Sequence, residues 1–345
     1  MAYRYLGNKA RIAKWIADHV ADKLPKGSRI ADPMCGTATM SAAFAEHGFE
    51  VIAADELRFP VLHAQARLLH DGVSGFGSLK AYHNALAELN GLEPQNGLFW
   101  REYSDEGSPR NSSKPRRYFT GPNAAKIDAV RAEIKRWNLE GLESRAVDLL
   151  LHNLILATNR VANIAGTYGY YRSGWNKASL EPLILYPSDP IKHDRRHEVL
   201  QGRVENLSSQ ITADAFYLDP PYTKRQYGGN YHILETIAQQ DEPEPVGEGG
   251  LRDWYPQASD FCYRRKAKGA FARTLSQIDA PLIFISYSED GHLSGAELSE
   301  LLGSFGTVSC LQIPIERFRS NGRVAKQGSV HEQLYVLEKV NERRS

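Results

Sequence analysis

Apolar positions recur along this chain with two different periods, and each change of period marks an element. Over residues 11–20 the apolar side chains Ile12, Trp15, Ile16 and Val20 fall at helical spacing, and Pro25-Lys26-Gly27 supplies turn chemistry behind them. A short strand from Arg29, an alanine-rich helix over residues 37–47 and a strand over residues 49–54 that ends at Asp55 come next. Strands alternating with helices at this distance imply βαβ units and a parallel sheet. The pattern returns late in the chain. Residues 215–218 form an apolar run that stops at Asp219, residues 282–287 read as a second buried strand, and residues 295–302 as a helix. Residues 308–313 and 333–337 then read as a closing antiparallel pair.

Between these blocks the alternation lapses. Residues 60–70, 124–137 and 144–160 carry helical patterns, while residues 104–117, dense in Ser, Pro, Gly and charge, read as a loop. The expected architecture is an α/β sheet with an inserted, mainly helical subdomain: residues 1–74 and 188–345 for the sheet domain, residues 75–187 for the insertion. Residues 240–250, rich in Pro, Glu and Gly, read as a mobile surface loop. No internal repeat is found.

Composition narrows the picture mainly by exclusion. A chain of 345 residues with a formal net charge of +1 has no overall basic field, so any nucleic-acid contact must come from local clusters. Cys35, Cys262 and Cys310 match neither a disulfide framework nor paired zinc-ligand spacing, which suits a reducing cytoplasm. No apolar run approaches the ~20 residues of a membrane span. The expectation is a soluble, cytoplasmic protein, without a metal or a membrane partner, acting as a monomer.

The sharpest chemical signal is Asp219-Pro220-Pro221-Tyr222, placed directly after an apolar strand. Ligands of a parallel sheet bind at the carboxyl ends of its strands. Two prolines fix two φ angles and remove two backbone donors, so the Asp219 carboxylate and the Pro220 carbonyl form an acceptor-only corner suited to an exocyclic NH2, with Tyr222 available to stack on the base bearing it. The plainer alternative is a strand-terminating turn. Arg225-Gln226-Tyr227 and Asn230-Tyr231-His232, an aromatic and polar cluster opening a helix, make an unusual plain turn.

A second signal joins the first strand to the first helix after it: Asp32-Pro33-Met34-Cys35-Gly36-Thr37. Gly36 lets backbone approach a ligand, and a strand-end acid accepts hydrogen bonds from a cationic amino-acid moiety. The three glycines of a dinucleotide fingerprint are missing, which argues against a nicotinamide cofactor and fits one without phosphates. Asp55 stands roughly 20 residues beyond the turn, where an acid binds ribose hydroxyls. An ordinary βα turn and a solvated strand-end carboxylate are the plain alternatives.

These motifs, with Tyr5-Leu6-Gly7-Asn8-Lys9 ahead of them, resemble the Dam-like class of N6-adenine DNA methyltransferases over nearly the whole chain. The likeness is greatest to the branch found in type IIS restriction systems, on the run from Asp219 to His232 and on Val161-Ala162-Asn163-x-Ala165-Gly166-x-Tyr168. It implies a Rossmann-like, S-adenosylmethionine-dependent fold whose insertion recognises the target, and an enzyme of restriction-modification or phage and host defence. It assigns Tyr5, Lys9, Pro33 and Cys35 to the cofactor, Asp32 and Gly36 to its methionine end, Asp55 to its ribose, and Glu205 with Asn206 to the vicinity of its adenine. Asp219 would face both cofactor and amine. Met34 and Ala38 stand where many members have an aromatic residue and a glycine.

A methyltransferase acting on double-stranded DNA must extrude its base and hold the distorted strand. Three basic clusters with interleaved aromatics are available: Arg110, Lys114, Arg116 and Arg117; Arg264, Arg265, Lys266 and Lys268; Arg317, Arg319, Arg323 and Lys326. Each alone also reads as a solvated loop. Tyr168, Tyr170, Arg172 and Trp175 in the insertion, with Arg225 and Tyr227 behind the tetrapeptide, complete the expected DNA contacts, although Trp175 and at least one tyrosine equally suit a core. The rival readings are cytosine N4 or RNA adenine as acceptor, and a catalytically idle nucleic-acid-binding module.

Overall fold

Helix α1 (Ala13–Ala21) buries Ala13, Ile16, Ala17 and Val20, the i, i+3, i+4, i+7 stripe that its sequence spells out. The computed structural model describes residues 3–71, 73, 75–191, 196–315 and 330–339. After α1 come β1 (Arg29–Asp32), α2 (Thr39–Glu46), β2 (Glu50–Asp55) and α3 (Arg58–Leu68). Four helices then follow without a strand: α4 (Leu79–Gly91), α5 (Leu98–Tyr103), α6 (Gly121–Leu139) and α7 (Ser144–Val161). The chain returns to the sheet with β3 (Glu198–Gln201), α8 (Val204–Leu207), β4 (Ala215–Leu218), α9 (Tyr227–Asn230) and α10 (His232–Gln239). It closes with α11 (Arg264–Gln277), β5 (Leu282–Ser288), α12 (Gly295–Gly303), β6 (Gly306–Ile315) and β7 (Val330–Lys339).

The described strands form one seven-stranded sheet in the order β3-β2-β1-β4-β5-β7-β6. β1 to β5 are mutually parallel, and β7 runs antiparallel to both β5 and β6, which is the expected closing pair. From β1 the chain builds outward to β2 and β3, then restarts at β4 on the other side, so the topological switch point lies between β1 and β4. β4 is buried on both faces: Ala215 and Tyr217 join a core with α1 and α2, Phe216 and Leu218 a core with α11 and α12.

The helical region does not stand apart. Its apolar residues share one core with Leu57, Phe59 and Leu62 around α3 and with Ile233, Leu234 and Ile237 of α10. Arg116 lies inside this packing. It was expected on DNA, but its side chain is fully buried, with Nη1 2.9 Å from Glu102 Oε2 and further hydrogen bonds to the carbonyls of Gly247 and Glu248. Tyr118 donates to the carbonyl of Gly249 at 2.9 Å and Tyr103 to that of Gly250 at 2.9 Å. The segment expected to be mobile is therefore pinned, since its carbonyls satisfy buried donors. Gly250, at φ +66°, leaves no room for a Cβ, which would stand 2.7 Å from Arg116 Nε. Tyr168 is likewise core, not interface: it is wholly buried, and its carbonyl accepts from Tyr118.

Removing one partner of a buried ion pair leaves the other charge uncompensated. Arg116→Met is expected to cost about 3–5 kcal/mol of unfolding free energy. Chemical denaturation checks this, with the exposed neighbour variant Arg117→Glu expected to unfold as wild type does.

Candidate active site

The carboxyl ends of β1, β2 and β4 open onto a cavity of about 1050 Å³, part of it continuous with solvent. Tyr5, Lys9, Asp32, Pro33, Cys35, Gly36, Asp55, Glu205, Asp219, Pro220, Pro221 and Tyr222 all line it, so the structure brings together nearly every cofactor and catalytic residue expected from sequence. Asn206 is the exception: it is exposed and not part of the lining.

The N-terminal segment is strapped across the cavity by aromatic residues of α9 and α10. Tyr5 stacks on Tyr231 with ring centroids 4.9 Å apart, the Leu6 amide donates to the Tyr231 hydroxyl at 2.6 Å, and the Tyr227 hydroxyl donates to the Leu6 carbonyl at 3.1 Å. Tyr227, expected to contact DNA, is half-buried in the cavity wall and holds the strap. The strap delivers Lys9, whose Nζ lies 2.8 Å from Asp219 Oδ1 and 2.8 Å from Glu332 Oε1 of β7. Burial opposes charge on Lys9, but the two carboxylates overcome it and hold the ammonium well above its ordinary value.

Asp219 keeps 19 % side-chain exposure just beyond the end of β4, so its carboxylate reaches the cavity while Oδ1 faces Lys9. Burial pushes its carboxyl up to about 6 against the opposing pull of Lys9. Tyr222 packs edge-on against Tyr287, 5.9 Å between centroids. Asp32 is buried and pushed up to about 7, chiefly by burial. Its Oδ2 accepts from the Ser41 hydroxyl at 2.6 Å, while Oδ1 is buried without a hydrogen-bond partner.

Asp55, expected on ribose, lines the cavity, and each of its oxygens accepts one backbone amide. Oδ2 accepts from Gly36 N at 3.1 Å and Oδ1 from Leu57 N at 3.0 Å. It therefore shapes the loop after β1, and burial lifts it to about 7 despite these bonds. The loop is tight: Gly36 has φ +52°, and a Cβ there would sit 2.9 Å from the Tyr5 hydroxyl. Two residues on, Ala38 adopts φ +55°, a left-handed conformation that favours glycine.

Sequence reasoning missed Glu56, which lines the cavity and pairs with Arg203 at 2.9 Å, and Glu332. An adjacent second acid at the end of β2 was a usable signal for Glu56. Glu332 had none. The cavity suits a cofactor that carries an ammonium and no phosphate: Asp32 Oδ1 lacks a donor, and the tight loop offers no glycine-rich cradle.

Of the expected DNA contacts, Tyr170, Arg172 and Arg117 are exposed on one surface, with Tyr170 stacked on Tyr171 at 4.5 Å and Arg117 Nη1 3.3 Å from the Ser173 carbonyl. Arg225 is exposed behind the tetrapeptide, and Arg264 and Arg265 are exposed on the first turn of α11. Arg317, Arg323 and the rest of the third basic cluster lie outside the described residues. Among the described residues there is no group of three or more His, Cys, Asp or Glu suited to a metal ion, and no helix long and apolar enough to cross a membrane.

Comparison with known proteins agrees with this geometry. The type II methyltransferase M.NlaIII of Neisseria lactamica is 30 % identical over 342 residues, covering 97 % of this chain and 99 % of that protein. The type II methyltransferase M.FokI of Planomicrobium okeanokoites is 29 % identical over 97 % of this chain, which matches only 52 % of that longer protein. The type II methyltransferase M.CviAII of Paramecium bursaria Chlorella virus 1 is 27 % identical, with 96 % and 97 % covered. Residues 5–298 match the family model for D12 class N6 adenine-specific DNA methyltransferases, and the chain belongs to that family.

Proposed function

We propose that the chain is the modification enzyme of a type II restriction-modification system, methylating the N6 nitrogen of an adenine extruded from double-stranded DNA into the cavity at the switch point. One observation carries the reading. Asp219 directly follows β4 with Oδ1 on Lys9 and part of its side chain open to the cavity, beside two prolines that offer no N–H. Relatives named as type II methyltransferases and modification methylases support the biological setting.

S-adenosylmethionine, the methyl donor of this family, supplies an electrophilic methyl on a sulfonium when bound. Asp32 holds the ammonium of its methionine end through the unpartnered Oδ1, and Asp55, with Glu56 beside it fixed by Arg203, accepts from its ribose hydroxyls. The amino nitrogen of adenine is a poor nucleophile because its lone pair is delocalised into the ring. Asp219 and the Pro220 carbonyl accept its two hydrogens and draw it toward a pyramidal geometry, so positioning and electrostatics provide most of the acceleration. Tyr222 stacks on the base. The proton that the nitrogen sheds on methylation passes to the Asp219 carboxylate and from there to solvent. The surface of Arg117, Tyr170 and Arg172 belongs to the helical insertion of residues 75–187, which reads the target, while Arg225, Arg264 and Arg265 hold backbone phosphates. An adenine-specific DNA family disfavours cytosine and RNA as acceptors, and intact acceptors disfavour an idle module.

Incubation with tritiated S-adenosylmethionine and duplex DNA is expected to label N6-methyladenine; label in cytosine, or none, refutes the proposal. Asp219→Ala should lower the single-turnover rate by at least about a thousandfold while the cofactor still binds. Because Asp219 must be ionised to accept, the wild-type rate should fall as the pH drops through about 6. Cofactor binding needs ionised Asp32, so its dissociation constant should rise as the pH falls through about 7, a dependence that Asp32→Asn should flatten in calorimetric titrations. Arg117→Glu with Arg172→Glu should weaken DNA binding and reduce its slope against log salt by about one per lost phosphate contact.

A further inference from the structure

Lys9 stands between two carboxylates at equal distance, 2.8 Å from each, and all three side chains are largely withdrawn from water. One ammonium and two carboxylates leave the cluster one negative charge in excess. The second carboxylate, Glu332, belongs to β7, where it pairs across the sheet with Ser288 of β5 and Ile313 of β6, so its backbone is fixed from both sides. It lies outside the cavity lining. No residue of the mechanism above requires it.

Its effect falls on Asp219 through the shared lysine. A carboxylate that owns an ammonium outright has its charge drawn onto that partner and is a weaker acceptor for a third group. We propose that Glu332 is a positioning residue for methyl transfer: by sharing the Lys9 ammonium, it keeps that charge from settling on Asp219 and leaves the Asp219 carboxylate a strong acceptor for the amine hydrogens of the target base. The lysine in turn anchors Asp219 in one orientation. This rests on the reading of Asp219 as the acceptor.

The electrostatics around the cluster point the same way. Burial raises the carboxyl of Asp219 most, Lys9 lowers it, and Glu332 raises it again. The other groups facing the cluster are Asp32 on β1, Tyr217 on β4, and Tyr222, Tyr227 and Asp290 from the loops and α9. The three tyrosines are all shifted upward by burial and stay neutral throughout the acid range. Asp32 titrates at about 7 but acts through the cofactor, so saturating S-adenosylmethionine removes it from the measurement.

The test is Glu332→Gln in the full chain, isosteric but uncharged, read by single-turnover methyl transfer against pH at saturating cofactor. The expected result is a plateau lowered roughly tenfold or more, with the acid limb displaced to lower pH. Glu332→Asp should return the limb toward its wild-type place, and in the Lys9→Met background Glu332→Gln should lower the plateau no further, although the direct repulsion between the two carboxylates still moves the limb. A lowered plateau with an unmoved limb, a wild-type profile, or an undiminished loss of plateau in the Lys9→Met background overturns the proposal and leaves Glu332 a structural ion-pair partner. Should Glu332→Gln fail to fold, the limb of Glu332→Asp and the Lys9→Met profile decide, since without the lysine the limb must rise. Methyl transfer retained by Asp219→Asn would instead remove the acceptor reading itself.

Discussion

Carboxylates crowd the carboxyl edge of the sheet, and few cations answer them. Asp32, Asp55 and Asp219 are each lifted well above an ordinary carboxyl, to about 7, 7 and 6, with burial as the leading cause in every case. Lys9 serves Asp219 and Glu332, Arg203 serves Glu56, and Asp32 has a hydroxyl only. Such a site is poised for a positively charged ligand, because the ligand relieves repulsion that the fold itself has imposed. The switch point dictates this crowding: β1 and β4 are parallel neighbours whose connections leave in opposite directions, so Asp32 at the end of one and Asp219 just beyond the other stand side by side.

The same constraint ties the reading surface to the chemistry. α3 begins directly after the acids of β2, and its apolar face enters the core that holds α4 to α7 together. Glu235 of α10 accepts from the backbone amides of Arg58 and Phe59 at 3.0 Å each, capping α3 where it leaves the cavity. Arg4 extends the strap into the helical region, reaching the carbonyls of Ala162 at 3.0 Å and Ile164 at 3.2 Å. The helical region and the cavity are thus coupled through shared packing, not through a linker.

The parallel sheet, the closing antiparallel pair, α6, α7 and the cavity lining were legible in the sequence because each is written locally, in a period or in a tetrapeptide with few plain uses. Other features depend on partners that sequence does not place. Arg116 and Arg117 are neighbours of the same type, yet one is interior because Glu102 and the carbonyls of Gly247 and Glu248 converge on it. Tyr168 and Tyr170 divide the same way, core and surface. Helix α11 was hidden by its basic first turn, although Ala267, Ala270, Phe271 and Thr274 carry the helical stripe. Asp55 occupied the expected place in the cavity lining, but its bonds to the amides of Gly36 and Leu57 depend on how the chain turns around it.

The Lys9 cluster joins two parts of the chain that are distant in sequence. Its lysine lies ahead of α1 and its second carboxylate on β7, which is held between β5 and β6. A slip of β7 by one residue along β5 would turn the Glu332 side chain to the opposite face of the sheet and leave the ammonium to Asp219 alone. The pairing register of a strand remote from the cavity is thereby written into the charge balance beside it.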